Sequence, residues 1–390
     1  MSTPDRPPRI WALLGPRTGD NNQVLALAEA LGEPVRPVPL RYNLLRLLPN
    51  RFGDTGRLSL APASRPLLAP PWPDLVIGAG QRSVPVARWI RARSGGHTRI
   101  VQIGRPRCDP ARLDLVVTTP QYGVPPGPTV LEAPLSLTRQ TPEVLAAAAL
   151  AWRDRLEGFP SPRRALVLGG DSWPWRLRRT EVEAACRMLF ARAQAEGGSV
   201  LAIGSRRTPA AVADAVRAAL AAAPVPSAFL EGTGEHSPYA GLLALADEIL
   251  VTADSVAMIS DAVATGKPVG LVPVHAAGLG GAWLRLMRGL RRADASAPAA
   301  GLLPRAAGRA WGALVRRGLA GWPRDLWFLW RAMERHGLAG SVGAPVRGNP
   351  PAVAEAAAAW VRRLLPPVPA GGGRDAARPG TAHRGGYGAP

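Results

Sequence analysis

Three short clusters of glycine, hydroxyl and charged residues stand where an apolar run gives way to a helical pattern. Thr252, Asp254 and Ser255 lie between the run Glu248–Thr252 and a segment with Val256, Ile259 and Val263 at helical spacing. Gly169, Gly170 and Asp171 follow Ala165–Leu168, and Ser205, Arg206 and Arg207 follow Ser199–Ile203. These types suit a phosphate. Glycine lets backbone approach closely, helix-start N–H groups favour anions, and the arginine fork gives a diphosphate two hydrogen bonds at once. Each cluster has a plainer explanation alone: a tight turn, a helix N-cap, surface arginines. Their convergence gives them weight. Asp261, two helical turns after Asp254, is placed to accept from ribose or sugar hydroxyls. Met258 between them suits the core and is counted with the binding set. A fourth loop, from Gly232 to Tyr239, follows Ser227–Leu230.

A second constellation lies near the amino terminus. Gly19, Asp20, Asn21, Asn22 and Gln23 follow the apolar run Ile10–Leu14, and Gln81 and Arg82 repeat the position one unit later. Asp20 reads as the cap of a helix from about 22 to 31. Capping does not explain four polar residues in succession, so Asp20 is also the candidate catalytic base, with Gly19, Gln23, Gln81 and Arg82 beside it. The five histidines show no metal-ligand spacing, and no Walker loop or nucleophile elbow is present. No metal and no cofactor is expected.

Positioning these groups requires apolar runs alternating with helical segments, the signature of parallel sheets covered by helices. Right-handed crossovers put the strand ends of each sheet on one edge, where ligands bind. The alternation predicts an α/β fold of two Rossmann-like domains, residues 1–158 and 159–275, with Phe159–Arg163 as linker. Thr180 with Glu183 has capping-box spacing. Thr208 reads as a cap before Pro209, and Asn349 as the cap of the last helix. Residues 276–345 break the rhythm: five Trp and eleven Arg stand against three acids, with basic amphipathic helices expected over 311–317 and 322–335. This insert reads either as a packed helical subdomain or as a membrane-contacting surface. A helix within 346–366 is expected to pack back on the first domain, and 367–390, rich in Pro, Gly and Arg, to be disordered.

The chain has 390 residues and a net charge of +20, with a single Lys, Lys267, among 48 basic residues. The charge reflects either attraction to anions or a GC-biased composition. No nucleic-acid-binding signature accompanies it, so nucleic acid is not expected as a partner. Two cysteines exclude a disulfide scaffold. No apolar run reaches transmembrane length and no signal peptide is read at the start. The expected location is cytoplasmic, with the inner membrane face as the alternative.

The ordered motifs Gly19–Gln23, Gly169–Ser172, Ser205–Thr208, Pro238–Tyr239, and Thr252–Met258 with Thr265–Val269 resemble the mitochondrial fission family of the Elm ("elongated mitochondria") type, whose bacterial members are described as glycosyltransferases. The resemblance spans roughly residues 9–365. Two positions depart from its usual pattern: Ser237 stands for Asn and Asp261 for Glu. It implies a glycosyltransferase-B-like fold, with two Rossmann-like domains facing across a cleft. It further implies a nucleoside-diphosphate sugar held by the second domain without metal, and an acceptor held by the first. The acceptor is unnamed, with a lipid-linked molecule or one at the membrane surface as options. The alternatives are a non-enzymatic peripheral membrane protein and a nucleotide-sugar epimerase.

Overall fold

The computed structural model describes residues 6–43, 56–232, 237–295 and 302–365. His236 and the tail expected to be disordered fall outside them. The chain builds two parallel six-stranded sheets flanked by helices, the α/β arrangement expected.

The first sheet holds β1 (Ile10–Leu14), β2 (Val35–Pro39), β3 (Leu75–Ala79), β4 (Arg99–Ile103), β5 (Leu115–Thr118) and β6 (Val130–Glu132), in the order β2-β1-β3-β4-β5-β6. Side-chain alternation divides its apolar residues between two faces. Ile10 and Ala12 join one core, and Trp11 and Leu13 join the other. The helices α1 (Thr18–Leu31) and α2 (Gly80–Arg93) follow β1 and β3. Strand β2, Val-Arg-Pro-Val-Pro, gives no strand signal in sequence. Its prolines cannot donate to a ladder, and it lies at the sheet edge, where that is tolerated.

Helix α3 (Pro142–Trp152) leads to the second sheet: β7 (Arg163–Val167), β9 (Ser199–Ile203), β10 (Ser227–Leu230), β11 (Glu248–Thr252), β12 (Val269–Val272) and β14 (Gly340–Ser341). Its order is β10-β9-β7-β11-β12-β14. A separate ribbon pairs β8 (Trp175–Arg176) with β13 (His275–Ala276). Helices α4 (Arg179–Glu196), α5 (Ala210–Ala221), α6 (Tyr239–Leu245) and α7 (Val256–Ala264) cover this sheet. In both sheets the chain first grows one way and then returns to the other side of its first strand. The resulting switch points lie between β1 and β3 and between β7 and β11. In open parallel sheets, ligand crevices lie at such points.

Packing divides the chain differently from composition. Leu135 is buried in the second core and Leu137 in the first, so the chain passes between them near residue 136. Leu156 is in the second core, and Trp152 of α3 abuts Gly241 of α6. Helix α3 therefore goes with the second sheet. The insert forms α8 (Gly278–Ala295), α9 (Leu302–Arg316) and α10 (Leu326–Arg335). Sequence reading misses α8, because Gly278, Gly280 and Gly281 punctuate its first turn. Gly308 and Gly312 let α9 approach α8: a Cβ at Gly308 would lie 2.6 Å from the Leu290 carbonyl oxygen. Helix α11 (Val353–Leu364) buries Val353, Ala357, Ala358 and Val361 in the first domain's core. Its N-cap is Ala352, not Asn349. No described helix is long and apolar enough to cross a membrane.

At Gly241 two effects oppose. Helix propensity alone favours Gly→Ala by about 1 kcal/mol. A Cβ there would lie 2.3 Å from Trp152 Cγ, inside the contact limit. Overlap should win, and urea denaturation should show Gly241→Ala destabilised by about 1–3 kcal/mol. A stabilised variant would refute the packing of α3 on α6.

Candidate functional site

The strand ends of the second sheet interlock. Thr252, the last residue of β11, and Asp254 just beyond it are fully buried. Thr252 Oγ1 accepts from the Gly169 N–H at 2.7 Å and donates to Asp254 Oδ1 at 2.7 Å. Asp254 Oδ2 accepts from the Gly170 N–H at 2.9 Å and from Arg207 Nη2 at 3.4 Å. Ser205 Oγ donates to the Gly169 carbonyl at 2.9 Å, and Thr208 Oγ1 donates to the same oxygen at 2.5 Å. Thr208 therefore ties loop to loop, and α5 starts at Ala210 without a side-chain cap. The expected capping box is likewise absent: α4 begins after Arg178 with no side-chain cap, and Glu183 accepts from Arg179 Nε.

These contacts explain the glycines. A Cβ at Gly169 would lie 2.4 Å from Asp254 Oδ1, and one at Gly170 would lie 2.0 Å from the Arg207 carbonyl oxygen. Both are small because protein atoms approach them. Asp171 accepts from the Leu177 N–H at 3.0 Å and pairs with Arg176, holding the β8 ribbon. Asp254 is thus committed to the protein. Burial raises its carboxyl pKa above the ordinary value, opposed by the Gly170 N–H, Thr252, Arg207 and Arg324.

Arg206 and Arg207 remain exposed at this edge. Arg324, from the loop between α9 and α10, joins them. It donates to the Asp254 carbonyl at 2.9 Å and to Ser172 Oγ, while its buried Nε has no partner among the described residues. Sequence reading missed it. Its loop reaches the site only because the insert folds back, and no local pattern announces that. Ser255 is the N-cap of α7 and makes no side-chain capping bond.

The first sheet's switch point faces this edge. Helix α1 starts at Thr18, four residues earlier than expected, so Asp20 lies in its first turn and Arg17 is the N-cap. Asn21 clamps the preceding loop, exchanging two 2.8 Å hydrogen bonds with the Gly15 backbone. Asp20 has no hydrogen-bond donor among the described residues. Burial raises its carboxyl pKa, and Arg17, Arg324 and Arg82 oppose the shift. Gly80, at φ 69° after β3, would bring a Cβ within 3.4 Å of Asp20 Oδ2. Gln81 and Arg82 follow in the first turn of α2. Arg206 donates to Thr18 Oγ1 across the gap, and a Cβ on Gly19 would lie 3.8 Å from Ala257 Cβ. Asp20, Gly19, Arg82, Arg206 and Arg324 therefore lie around one gap, with Arg207 beside it on Asp254.

The remaining predicted residues lie deeper or at the junction. Gln23 Nε2 donates to the Gly19 carbonyl at 3.2 Å and lines a small cavity with Ile103, Thr118 and Ser136. Met258 is half-buried and packs on the second core. Asp261, expected to meet sugar hydroxyls, has both oxygens engaged by protein. Thr138 Oγ1 donates to Oδ1, and the Tyr239 hydroxyl donates to Oδ2 at 3.0 Å. At the adjacent position Ser136 donates its N–H to Ser260 Oγ at 2.9 Å. Tyr239 and Asp261 thus tie α6 and α7 to the strap between the domains. Among the described residues no group of three potential ligands could hold a metal.

Burial pushes the Asp261 carboxyl up to about 6, against its bonds to Thr138 and Tyr239. An unfolded aspartate releases its proton near pH 4, so the folded state loses stability as pH rises between these values. Asp261→Asn removes that loss. It should raise the melting temperature at pH 8 by about 2 °C or more, with the gain vanishing at pH 4. A lower melting temperature at pH 8 would contradict this assignment.

The family model described as Mitochondrial fission ELM1 matches residues 18–311. The chain is 31% identical over 227 residues to the mitochondrial fission protein ELM1 of Arabidopsis thaliana, a match covering 51% of each chain. It therefore spans about half the length of that relative. An uncharacterized protein of Rickettsia prowazekii is 24% identical over 299 residues, covering 67% of this chain and 82% of that one. Among solved structures, the UDP-GlcNAc 2-epimerase of Methanocaldococcus jannaschii is similar with TM-score 0.46 and 10% identity, covering 91% and 99% of the two chains. MurG of Acinetobacter baumannii follows at TM-score 0.40 and 13% identity, covering 91% and 100%. Matched by the family model over well more than half its length, the chain belongs to the Mitochondrial fission ELM1 family.

Proposed function

We propose that the chain is a glycosyltransferase that uses a nucleoside-diphosphate sugar. The observation that carries this reading is the cluster of Arg206, Arg207 and Arg324 on the second sheet's switch point, facing Asp20 across the interdomain gap. Arginine forks at that edge suit the two phosphates of a leaving diphosphate. Transfer breaks the bond from the anomeric carbon to the diphosphate oxygen and forms one to an acceptor oxygen. Asp20 takes the acceptor's proton. A carboxyl with a raised pKa and no bound donor is a stronger base than an ordinary aspartate. The diphosphate leaves with its charge balanced by the three guanidinium groups.

Titration calorimetry with UDP and the other nucleoside diphosphates tests this. At least one should bind the wild type, and Arg206→Ala should weaken it about ten-fold or more, the loss of one charge-assisted hydrogen-bond pair. Failure of every nucleoside diphosphate to bind would overturn the reading.

A second reading, peripheral membrane attachment without transfer, draws on the insert. Leu279, Trp283 and Leu286 recur at helical spacing on α8 and are 91%, 41% and 58% exposed. Exposed Arg285, Arg292, Arg309, Arg316 and Arg317 accompany them, which suits an anionic lipid surface. The other four insert tryptophans are packed instead: Trp322 is 4% exposed, and Trp330 donates to the Ala253 carbonyl. In vesicle flotation with phosphatidylglycerol, Trp283→Ser with Leu286→Ser should weaken binding about ten-fold or more. Equal flotation of wild type and variant would dismiss α8 as the contact.

A further inference from the structure

The exposed stripe on α8 continues beyond the insert. Trp173, in the loop between β7 and β8, is 71% exposed. A Cβ on Gly280 would lie 2.5 Å from Pro174 Cβ and 3.4 Å from Trp173 Cζ2, so this loop rests on the first turn of α8. Gly280 follows Leu279 and stands three residues before Trp283. Trp173, Leu279, Trp283 and Leu286 therefore form one exposed apolar tract drawn from two parts of the chain. A bare tryptophan presents roughly 150–250 Å², and four large side chains side by side exceed the scattered apolar exposure of a soluble surface. The tract also reaches the site. Ser172, next to Trp173, accepts from Arg324, which donates to the Asp254 carbonyl at 2.9 Å.

The chemistry of the tract selects its partner. The indole N–H groups of Trp173 and Trp283 donate to no group among the described residues, and a ring with an apolar body and a wet edge suits a bilayer interface. Arg285 and Arg292 are exposed along the same helix. The sole acid of α8, Asp294, pairs with Arg316. A rim of one sign, in a chain of net charge +20, matches anionic headgroups better than the mixed rim of a protein interface. We propose that one docking surface for an anionic bilayer runs along α8 and across Trp173 to the rim of the arginine platform, and that the interdomain gap opens beside the headgroup layer. It extends the membrane reading, which draws on α8 alone, and joins it to the gap. The surface does not depend on glycosyl transfer. Where the glycosyl-transfer reading holds, the surface assigns the acceptor to the lipid, with the nucleotide entering from water.

Vesicle flotation of the full chain tests this. Wild type should float with phosphatidylglycerol and bind phosphatidylcholine about ten-fold more weakly. Trp173→Ser changes an exposed side chain. It should keep the wild-type melting temperature and weaken phosphatidylglycerol binding about ten-fold. Arg285→Gln should weaken it about five-fold. Leu150→Ser, at a 68% exposed position on α3, should float like wild type. If Trp173→Ser floats like wild type, the surface does not extend beyond α8. Equal binding to both lipids would overturn the anionic bilayer as partner. Sedimentation without vesicles checks the other occupant: a dimer that Trp173→Ser dissociates would reassign the tract to a second copy of the chain. UDP titration with and without vesicles keeps the readings apart. Binding present in solution and lost on vesicles would overturn the position of the gap beside the bilayer. Absence of binding in both conditions sinks the transferase alone, and flotation still judges the docking surface.

Discussion

A carboxylate with no solvent access holds the second domain's working edge together. Asp254 is 0% exposed and accepts from the Gly170 backbone and Thr252, with the Arg207 guanidinium at 3.4 Å. Burying a carboxylate is unfavourable unless donors replace its water. Here they come from three separate strand ends. The cost of leaving any donor out therefore fixes the relative positions of the β7, β9 and β11 loops. Ser205 and Thr208 close the arrangement on the Gly169 carbonyl. Side chains that look like ligand contacts in sequence are largely used to build the platform. What remains to meet a ligand is the layer that this platform presents: Arg206, Arg207 and Arg324.

Polar groups join the two domains at three points. Ser136 meets Ser260, Thr138 and Tyr239 share Asp261, and Arg206 reaches Thr18. Such contacts resemble transient rather than obligate interfaces. Apolar burial is instead kept within each core, where Leu135 and Leu137, two residues apart, point into different ones. A one-residue shift of this segment would carry Ser136 into an apolar core and break its bonds to Ser260. The junction is thus anchored at one point while its remaining contacts are exchangeable hydrogen bonds.

The parallel strands are legible in sequence because both of their faces are buried. Runs such as Leu75-Val-Ile77 and Leu250-Val251 then lack the alternation of a half-exposed strand. The strand-end positions of Asp20, Gly169, Ser205 and Asp254 follow from the same pattern. Their partners do not. Asp254 reads locally as a cap beside Ser255, and Thr208 as a cap before a proline, because short-range rules contain no information about a loop 40 or 80 residues away. Gly169 and Gly170 read as ligand-approach positions, whereas the atoms approaching them belong to Asp254 and Arg207. Arg324 is invisible for the same reason, on a larger scale: its relevance depends on an insert returning to the cleft.

That insert shows how an arginine-rich composition is accommodated. Arg288 forms two bonds with buried Asp325, at 2.7 and 2.8 Å, and lies 5.1 Å from the Trp327 ring centre. Arg291 stacks 3.8 Å from the Phe328 ring and donates to the Pro120 carbonyl, tying α8 to the first domain. Aromatic faces and carbonyl oxygens thus substitute for the scarce carboxylates, because a weakly hydrated, planar cation accepts both. Substitution of this kind leaves net charge uncancelled. Arg288 is held by a carboxylate and a ring face together, whereas Arg291 keeps a buried Nη1 without a partner among the described residues. Arg105, in the loop after β4, and Arg324, over the end of β11, use the Trp322 and Asp254 carbonyls in the same way, and neither pairs with a carboxylate among the described residues. The fold brings three of the chain's arginines, Arg206, Arg207 and Arg324, together at the gap where the two switch points meet.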